Sequence, residues 1–304
     1  MTLDKSQSES ARLRATLIGF GAVAMWSTLG LFTVMTGLGG AAVPAFQLNA
    51  LCFGLAGSLA LIVLASQGRL REVIATTPLA LTIAVAGRFG YHALYFTALR
   101  LAPAVEANLL NYLWPLLIVL FSGLLPGERL RWFHGAGAAL GFGGAALLIF
   151  GQGAAFDPGF ALGYAAALAA ALAWSSYSVT SRLFGSVPTG ALAGACLLTS
   201  ALSLVCHLLY ETTVWPTGIT GWVGIVALGL FPVGFAFFVW DIGMKRGDIQ
   251  VLGAAAYATP ILSTLLLIGF GYGALTWPVA LACLLVTAGA MLAAKDLIFK
   301  PSGG

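Results

Sequence analysis

Long apolar runs, each cut off by glycine, proline or charge, follow one another at 13–36, 44–66, 78–99, 104–124, 133–151, 159–183, 189–210, 217–241, 251–271 and 277–298. Each is near the roughly 20 residues a helix needs to cross the hydrocarbon of a bilayer. None alternates apolar and polar positions over about ten residues, as a barrel strand does. A backbone in lipid must satisfy its own hydrogen bonds, so the pattern predicts an all-α integral membrane protein of ten transmembrane helices. Residues 1–12 and 299–304 remain as tails.

The pattern also repeats. An offset of 145 positions lays Tyr112 on Tyr257, Pro115 on Pro260, Trp132 on Trp277, Gly144 on Gly289 and Ala145 on Ala290, and an offset of 148 lays Trp26-Ser27 on Trp174-Ser175. Leu and Ala pairs arise easily by chance in apolar sequence; the Tyr-x-x-Pro and Trp-Ser pairs do not. The chain therefore divides into a first five-helix repeat, 13–151, and a second, 159–298. Five is odd, so the second repeat enters the membrane from the opposite side and the repeats are inverted. Inverted repeats put a solute site near the midplane at the interface of the halves, with alternating access by rocking of one bundle against the other.

Composition agrees with this picture. Of the 304 residues 60% are hydrophobic and 8% charged, against about a quarter charged in ordinary soluble domains, and the mean hydropathy is +0.98. That excludes a soluble enzyme. The net charge of +4 matters less than its placement. With the N-terminus inside, Lys5, Arg12, Arg14, Arg69, Arg71, Arg129, Arg131, Arg182, Lys245, Arg246, Lys295 and Lys300 gather on one side and only Arg100 on the other. This is the positive-inside signature and puts both termini in the cytoplasm. No nucleic-acid partner is implied. The first apolar stretch, from about Ala15, is too long for a signal-peptide core, so the N-terminus is expected to be retained. Cys52, Cys196, Cys206 and Cys283 lie inside apolar runs without metal-ligand spacing, so neither a disulfide framework nor a metal is expected. Trp132, Trp215, Trp222 and Trp277 fall at span ends, where an indole suits the headgroup level.

Candidate chemistry lies at mid-span. Arg88, Tyr91, His92 and Tyr95 recur at helical steps on one face of the third span. An arginine at that depth costs about 2.5 to 3.5 kcal/mol, so Arg88 should meet a watery cavity, a substrate anion or a partner, with Glu106 and Asp241 as candidates, or satisfy helix-end carbonyls. His92 and Glu106 are the candidate groups for proton coupling. The fourth span carries Asn111, Tyr112 and Trp114 in one arc beside Pro115. Trp174, Tyr177, Ser178 and Ser181 share a face of the sixth span, Tyr257, Ser263 and Thr264 belong to the ninth, and Trp26 with Thr33 to the first. Polar groups in hydrocarbon must find partners, and clustered rings suit a flat solute or an ammonium group. Pro115 and Pro260 each remove a backbone donor within a span and are candidate hinges. Asp241, Lys245, Arg246 and Asp248 read as a solvated rim, and Asp157 and Glu211 as loop residues.

The phrases ATLIGFGAVAMWSTLG, EANLLNYLWP, LAWSSYSVTSR, GFAFFVWDIG and YATPILS resemble aromatic amino acid exporters of the YddG type, in the EamA branch of the drug/metabolite transporter (DMT) superfamily. The resemblance covers nearly the whole chain, and Asn111 to Pro115 is its most specific piece. It implies the five-plus-five inverted repeat and a cavity between spans 1, 3, 4, 6, 8 and 9. It also implies export of aromatic and other amino acids across a bacterial inner membrane, with no cofactor. Carried over by position, the cavity is lined by Trp26, Tyr91, Asn111, Tyr112, Trp114, Trp174, Tyr177 and Tyr257; Arg88 and His92 stand outside the family pattern. The chain has no intramembrane protease, prenyl-diphosphate or acyltransferase motif and no P-loop. Export of another small metabolite or drug, or a channel-like facilitator, are the alternatives. The expected partners are the amino acid substrate and membrane lipid, in a chain that can act as a monomer.

Overall fold

The computed structural model describes residues 2–37, 42–150, 157–270 and 276–295. Helices make up most of the described residues: α1 (Thr2–Ser27), α2 (Leu29–Gly37), α3 (Ala45–Ser66), α4 (Arg71–Ile74), α5 (Pro78–Val85), α6 (Tyr91–Leu101), α7 (Ala104–Asn111), α8 (Trp114–Ser122) and α9 (Trp132–Phe150). The second half follows with α10 (Ala161–Thr180), α11 (Leu192–Tyr210), α12 (Ile219–Leu230), α13 (Ala236–Arg246), α14 (Ile249–Ala255), α15 (Ala258–Gly269) and α16 (Trp277–Ala293). Among the described residues six stretches are long and apolar enough to cross a bilayer: 9–37, 45–66, 158–184, 189–210, 219–246 and 249–266. Glu106–Ser122 and Trp277–Ala293 are shorter apolar helices. The molecule is a multi-pass membrane protein.

Several expected spans are interrupted, each for a local reason. The run at 13–36 breaks at Thr28, where the Ser27 and Thr28 hydroxyls donate to the carbonyls of Val23 (2.8 Å) and Met25 (2.7 Å). The runs at 78–99 and 217–241 pass through π-helical turns, Ala86–Gly90 and Phe231–Phe235. These turns sit at the 145-residue offset already seen in the side chains. The second contains Pro232, and both are insertions of the kind that often marks functional sites. The runs at 104–124 and 251–271 split at Tyr112–Leu113 and at Ala256–Tyr257, just ahead of Pro115 and Pro260. Proline is tolerated in the first turn of a helix but not inside one, so each begins a new half-helix rather than bending an old one.

Close packing joins residues of the two repeats. A methyl group built on Gly57 of α3 would fall 2.8 Å from the Leu197 side chain of α11; one on Gly243 of α13 would fall 2.8 Å from the Gly19 backbone of α1. The Asn49 amide donates to Ser203 (2.7 Å) and the Ser200 hydroxyl to the Ala50 carbonyl (2.7 Å), both across the α3–α11 seam. Small residues and cross-helix hydrogen bonds replace the hydrophobic effect as the glue between helices in lipid.

One sequence expectation gains a role and another is corrected here. Glu211 lies in the loop just past the end of α11, as expected, and from there anchors the start of α3. Its carboxylate, 4% exposed, accepts from the Phe46 and Gln47 amides, each at 3.1 Å, and pairs with Arg100 (3.0 Å) and His207 (3.1 Å). Free amides and the positive end of a helix favour an anion there. The supposed rim at 241–248 is largely buried. Asp241 (2% exposed) accepts from Thr189 (2.7 Å) and lies 2.9 Å from the Lys245 ammonium, while Asp248 caps α14 through the Val251 amide (3.2 Å). Arg246 alone of the four is exposed, and Asp157 is an exposed cap on Gly159 (2.8 Å). Trp132, Trp215, Trp222 and Trp277 are all exposed, as span-end indoles should be. The four cysteines are free thiols.

Candidate functional site

A chamber of about 280 Å³ opens between the α1–α2 break, α6, the α7–α8 break, α10, the Phe231–Phe235 turn and α15. Its lining includes Trp26, Tyr91, His92, Tyr95, Asn111, Tyr112, Trp114 and Trp174, residues that come from four separate apolar runs. Trp26 is the hub. It meets Trp114 edge-on at 6.0 Å, Trp174 at 5.8 Å and Phe237 at 6.1 Å, and tilts onto Trp240 at 4.9 Å. Its indole N–H donates to the Pro232 carbonyl at 2.9 Å. That bond fixes the plane of the ring.

The opposite wall is polar and aromatic together. Tyr91 and Tyr95 stack at 5.9 Å with their planes 5° apart. The Asn111 amide donates to the Tyr91 hydroxyl at 3.1 Å, and the Tyr95 hydroxyl donates to Asn108. His92 Nδ1 lies 2.7 Å from the Arg88 carbonyl. A carbonyl only accepts, so Nδ1 carries the proton and Nε2 is left as an acceptor.

Three expected lining residues stand elsewhere. Arg88 is fully buried, behind the chamber rather than in its wall. Its guanidinium donates to the Ala84 carbonyl (2.8 Å) in the last turn of α5 and to the Tyr177 hydroxyl (2.8 Å). It also lies 4.8 Å from the Tyr177 ring centre and 5.2 Å from that of Phe237. The helix-carbonyl reading of Arg88 is therefore the one realised, and Asp241 serves Thr189 and Lys245 instead. Tyr177 is spent on Arg88. Tyr257 is fully buried, and its hydroxyl accepts the Leu116 amide at 3.1 Å. That amide sits in the first turn of α8, where no intrahelical partner exists. Tyr257 thus holds one broken helix from the other, while its repeat mate Tyr112 faces the chamber. Glu106 is buried on α7 outside the lining.

The lining also holds residues that sequence reasoning passed over: Leu29, Gly30, Asn108, Pro232, Val233, Phe237 and Thr259, with Ser263 named before only as a polar member of its span. Asn108 was within reach, since it lies three residues before Asn111 on the same helix face. For Pro232 and Phe237 the signal was the π turn, which hydrophobic periodicity does not reveal. Among the described residues, no Asp, Glu, Lys or Arg lines the chamber.

Comparison with known proteins gives consistent matches. The sequence matches the EamA-like transporter family over residues 13–150 and again over 161–294. A protein of Ancylobacter novellus named aromatic amino acid exporter YddG is 50% identical, over 93% of this chain and 98% of its own. Proteins of the same name from Escherichia coli K12 (29% identical; 84% of this chain, 88% of the relative) and Salmonella typhimurium (28%; 83% and 87%) also match. A solved crystal structure superposes with a TM-score of 0.88 at 50% identity, covering 93% of this chain and 98% of that one. The relatives are named as exporters, not as enzymes.

Proposed function

This chain belongs to the EamA-like transporter family, and from that premise we propose that it exports amino acids, aromatic ones and others, from the cytoplasm across a bacterial inner membrane. The single observation that carries the substrate class is the chamber walled by Trp26, Trp114, Trp174 and Tyr91, joined to the name borne by a relative of 50% identity. An aromatic side chain placed among these rings gains roughly 0.5 to 1.5 kcal/mol per ring pair beyond buried area.

In the proposed topology ten spans form two inverted five-helix repeats with both termini in the cytoplasm. Leu29, Tyr95, Asn108 and Ser263 then lie in the outer half of the membrane. Tyr177, Trp240 and Asp241 lie in the inner half, which is packed shut. Transport follows by rocking of one bundle against the other, with the breaks at Pro115 and Pro260 as hinges. The substrate gradient alone drives exchange in this reading. Among the described residues the chamber lining holds no carboxylate. Imposing a pH gradient on proteoliposomes is accordingly expected to leave the initial rate of tryptophan uptake unchanged; a severalfold response would install His92 or Glu106 as a coupling group.

The deciding experiment is counterflow into liposomes loaded with aromatic, aliphatic and charged amino acids, nucleosides or sugars. Trans-stimulation marks a carrier, because a channel has no site to reorient. Trp114→Ala and Trp174→Ala are expected to lower aromatic counterflow about tenfold, the equivalent of losing one or two ring contacts, with Trp→Phe at the same positions retaining most of it. Unchanged transport in both alanine variants would remove the stacking wall from the mechanism.

A further inference from the structure

We propose that the chamber recognises its solute as a zwitterion through two uncharged poles, the Asn111 amide oxygen taking the ammonium and the Thr259 hydroxyl taking the carboxylate. The inference rests on the amino acid export reading and specifies how the same chamber selects within it.

Asn111 is 5% exposed and lies in the chamber wall. Its Nδ2 is committed to the Tyr91 hydroxyl, which orients the amide, and its Oδ1 is buried with no hydrogen-bond partner among the described residues. A buried acceptor without a donor costs free energy, which a ligand N–H relieves. Asn111 is also the last residue of α7, the end that carries the partial negative charge of the helix. Pro115 has no N–H to offer the Asn111 carbonyl, so a second acceptor is available at the same pole.

Thr259 is the converse. Hydroxyls on helices of this protein habitually donate backwards to a carbonyl: Thr97 to Ala93, Thr199 to Ala195 and Thr264 to Pro260, each at 2.8 Å. The buried Thr259 hydroxyl has no such bond, although it lines the chamber. It belongs to the first turn of α15, whose N-terminal end is partially positive. Broken helices that offer an N-terminus to an anionic group are a recurrent device of transporters with discontinuous spans. With no Asp, Glu, Lys or Arg among the described lining residues, a neutral dipole adds no unmatched charge to the chamber, whereas a bare amine or a bare carboxylate does.

The test uses tryptophan, tryptamine (no carboxylate) and indole-3-propionate (no ammonium) as competitors of tryptophan counterflow, with calorimetric binding of each to the detergent-solubilised protein. Wild type is expected to bind either analogue about tenfold or more weakly than tryptophan, the cost of one hydrogen bond to a charged group. Asn111→Leu is expected to weaken tryptophan by a similar factor while leaving indole-3-propionate unchanged; Thr259→Val is expected to weaken tryptophan while leaving tryptamine unchanged. Asn111→Asp, which keeps an acceptor and adds a negative charge, is expected to strengthen tryptamine and exclude indole-3-propionate. Variants that weaken all three ligands alike, or a wild type indifferent to the missing group, would overturn the two-pole assignment. Tryptophan binding without any counterflow would instead overturn the export reading and leave the poles standing.

Discussion

Gly289→Leu is expected to strip most of the folded protein from a detergent extract, the largest effect of any substitution considered. Gly289 of α16 faces Gly137 of α9 so closely that a methyl group on either would lie 2.5 Å from the carbonyl oxygen of the other. The same methyl on Gly289 would also fall 2.9 Å from the Gly141 amide nitrogen. These neighbours are backbone, so no rotamer change makes room and the helices must separate. About two turns further along α9, Gly144 repeats the arrangement against Val286 and the Ala282 carbonyl. Helices in lipid associate through such close approach rather than through water exclusion, so prising them apart removes the interaction that held them. Overpacking a well-packed site commonly costs 1 to 3 kcal/mol, and a site walled by backbone on both sides belongs at or above about 3 kcal/mol. That is a large fraction of a typical net stability of roughly 5 to 15 kcal/mol. The measurement is the monodisperse fraction on size exclusion and the midpoint of thermal unfolding. Gly143→Ala is the control, because nothing among the described residues lies within 4 Å of a methyl group there. Equal behaviour of the two variants would sink the argument.

Glu128→Ala is expected to open the side of the molecule assigned to the cytoplasm. The Glu128 carboxylate lies 2.6 Å from the Arg182 guanidinium and 3.6 Å from that of Arg12, and accepts from Gln250 at 3.3 Å. Arg12 also reaches Asp248 at 3.0 Å, and Arg182 donates to the carbonyls of Met244 and Gly247, both at 2.8 Å. One carboxylate between α8 and α9 thus clasps α1, the turn after α10, and α14. Glu128 is 11% exposed and Arg182 20%, whereas Arg12 at 43% is partly screened by solvent. Truncating a buried charged pair costs about 2 kcal/mol or more, and the lower figure suits a network with one wet member. If only the closed form contains the clasp, about 2 kcal/mol shifts the open population by roughly 30-fold. The readout is thiol labelling of Ser181→Cys, a buried position beside Tyr177 and Asp241, in an otherwise cysteine-free chain. Labelling should accelerate by about that factor in Glu128→Ala, while Arg69→Ala, which breaks an exposed pair with Glu72, should change it less than about twofold. A rate unmoved by Glu128→Ala would show that the clasp does not hold this side closed.

The amino-acid sequence by itself determined that the chain is helical and membrane-embedded, that it repeats, and which side chains are available for a chamber. Those properties depend on local quantities. The length of an apolar run against the thickness of a bilayer predicts a span, a proline within a run predicts a kink, and an indole at a span end predicts an exposed Trp277. The tertiary structure alone decided which available groups meet. Helical periodicity tells that Arg88, Tyr91, His92 and Tyr95 share a stripe but not which neighbour receives it, and lipid provides no polar-to-apolar contrast strong enough to aim a face. Thus Tyr112 and Tyr257, equivalent in the repeat, part company: one faces the chamber and the other caps the Leu116 amide. For the same reason the carboxylates of Glu211, Asp241 and Asp248, which lie in or next to loops, are shielded from solvent. Each ends up wherever free amides or a cation from a distant segment lower the cost of its charge, and that depends on how the helices pack rather than on what precedes or follows a residue in the chain.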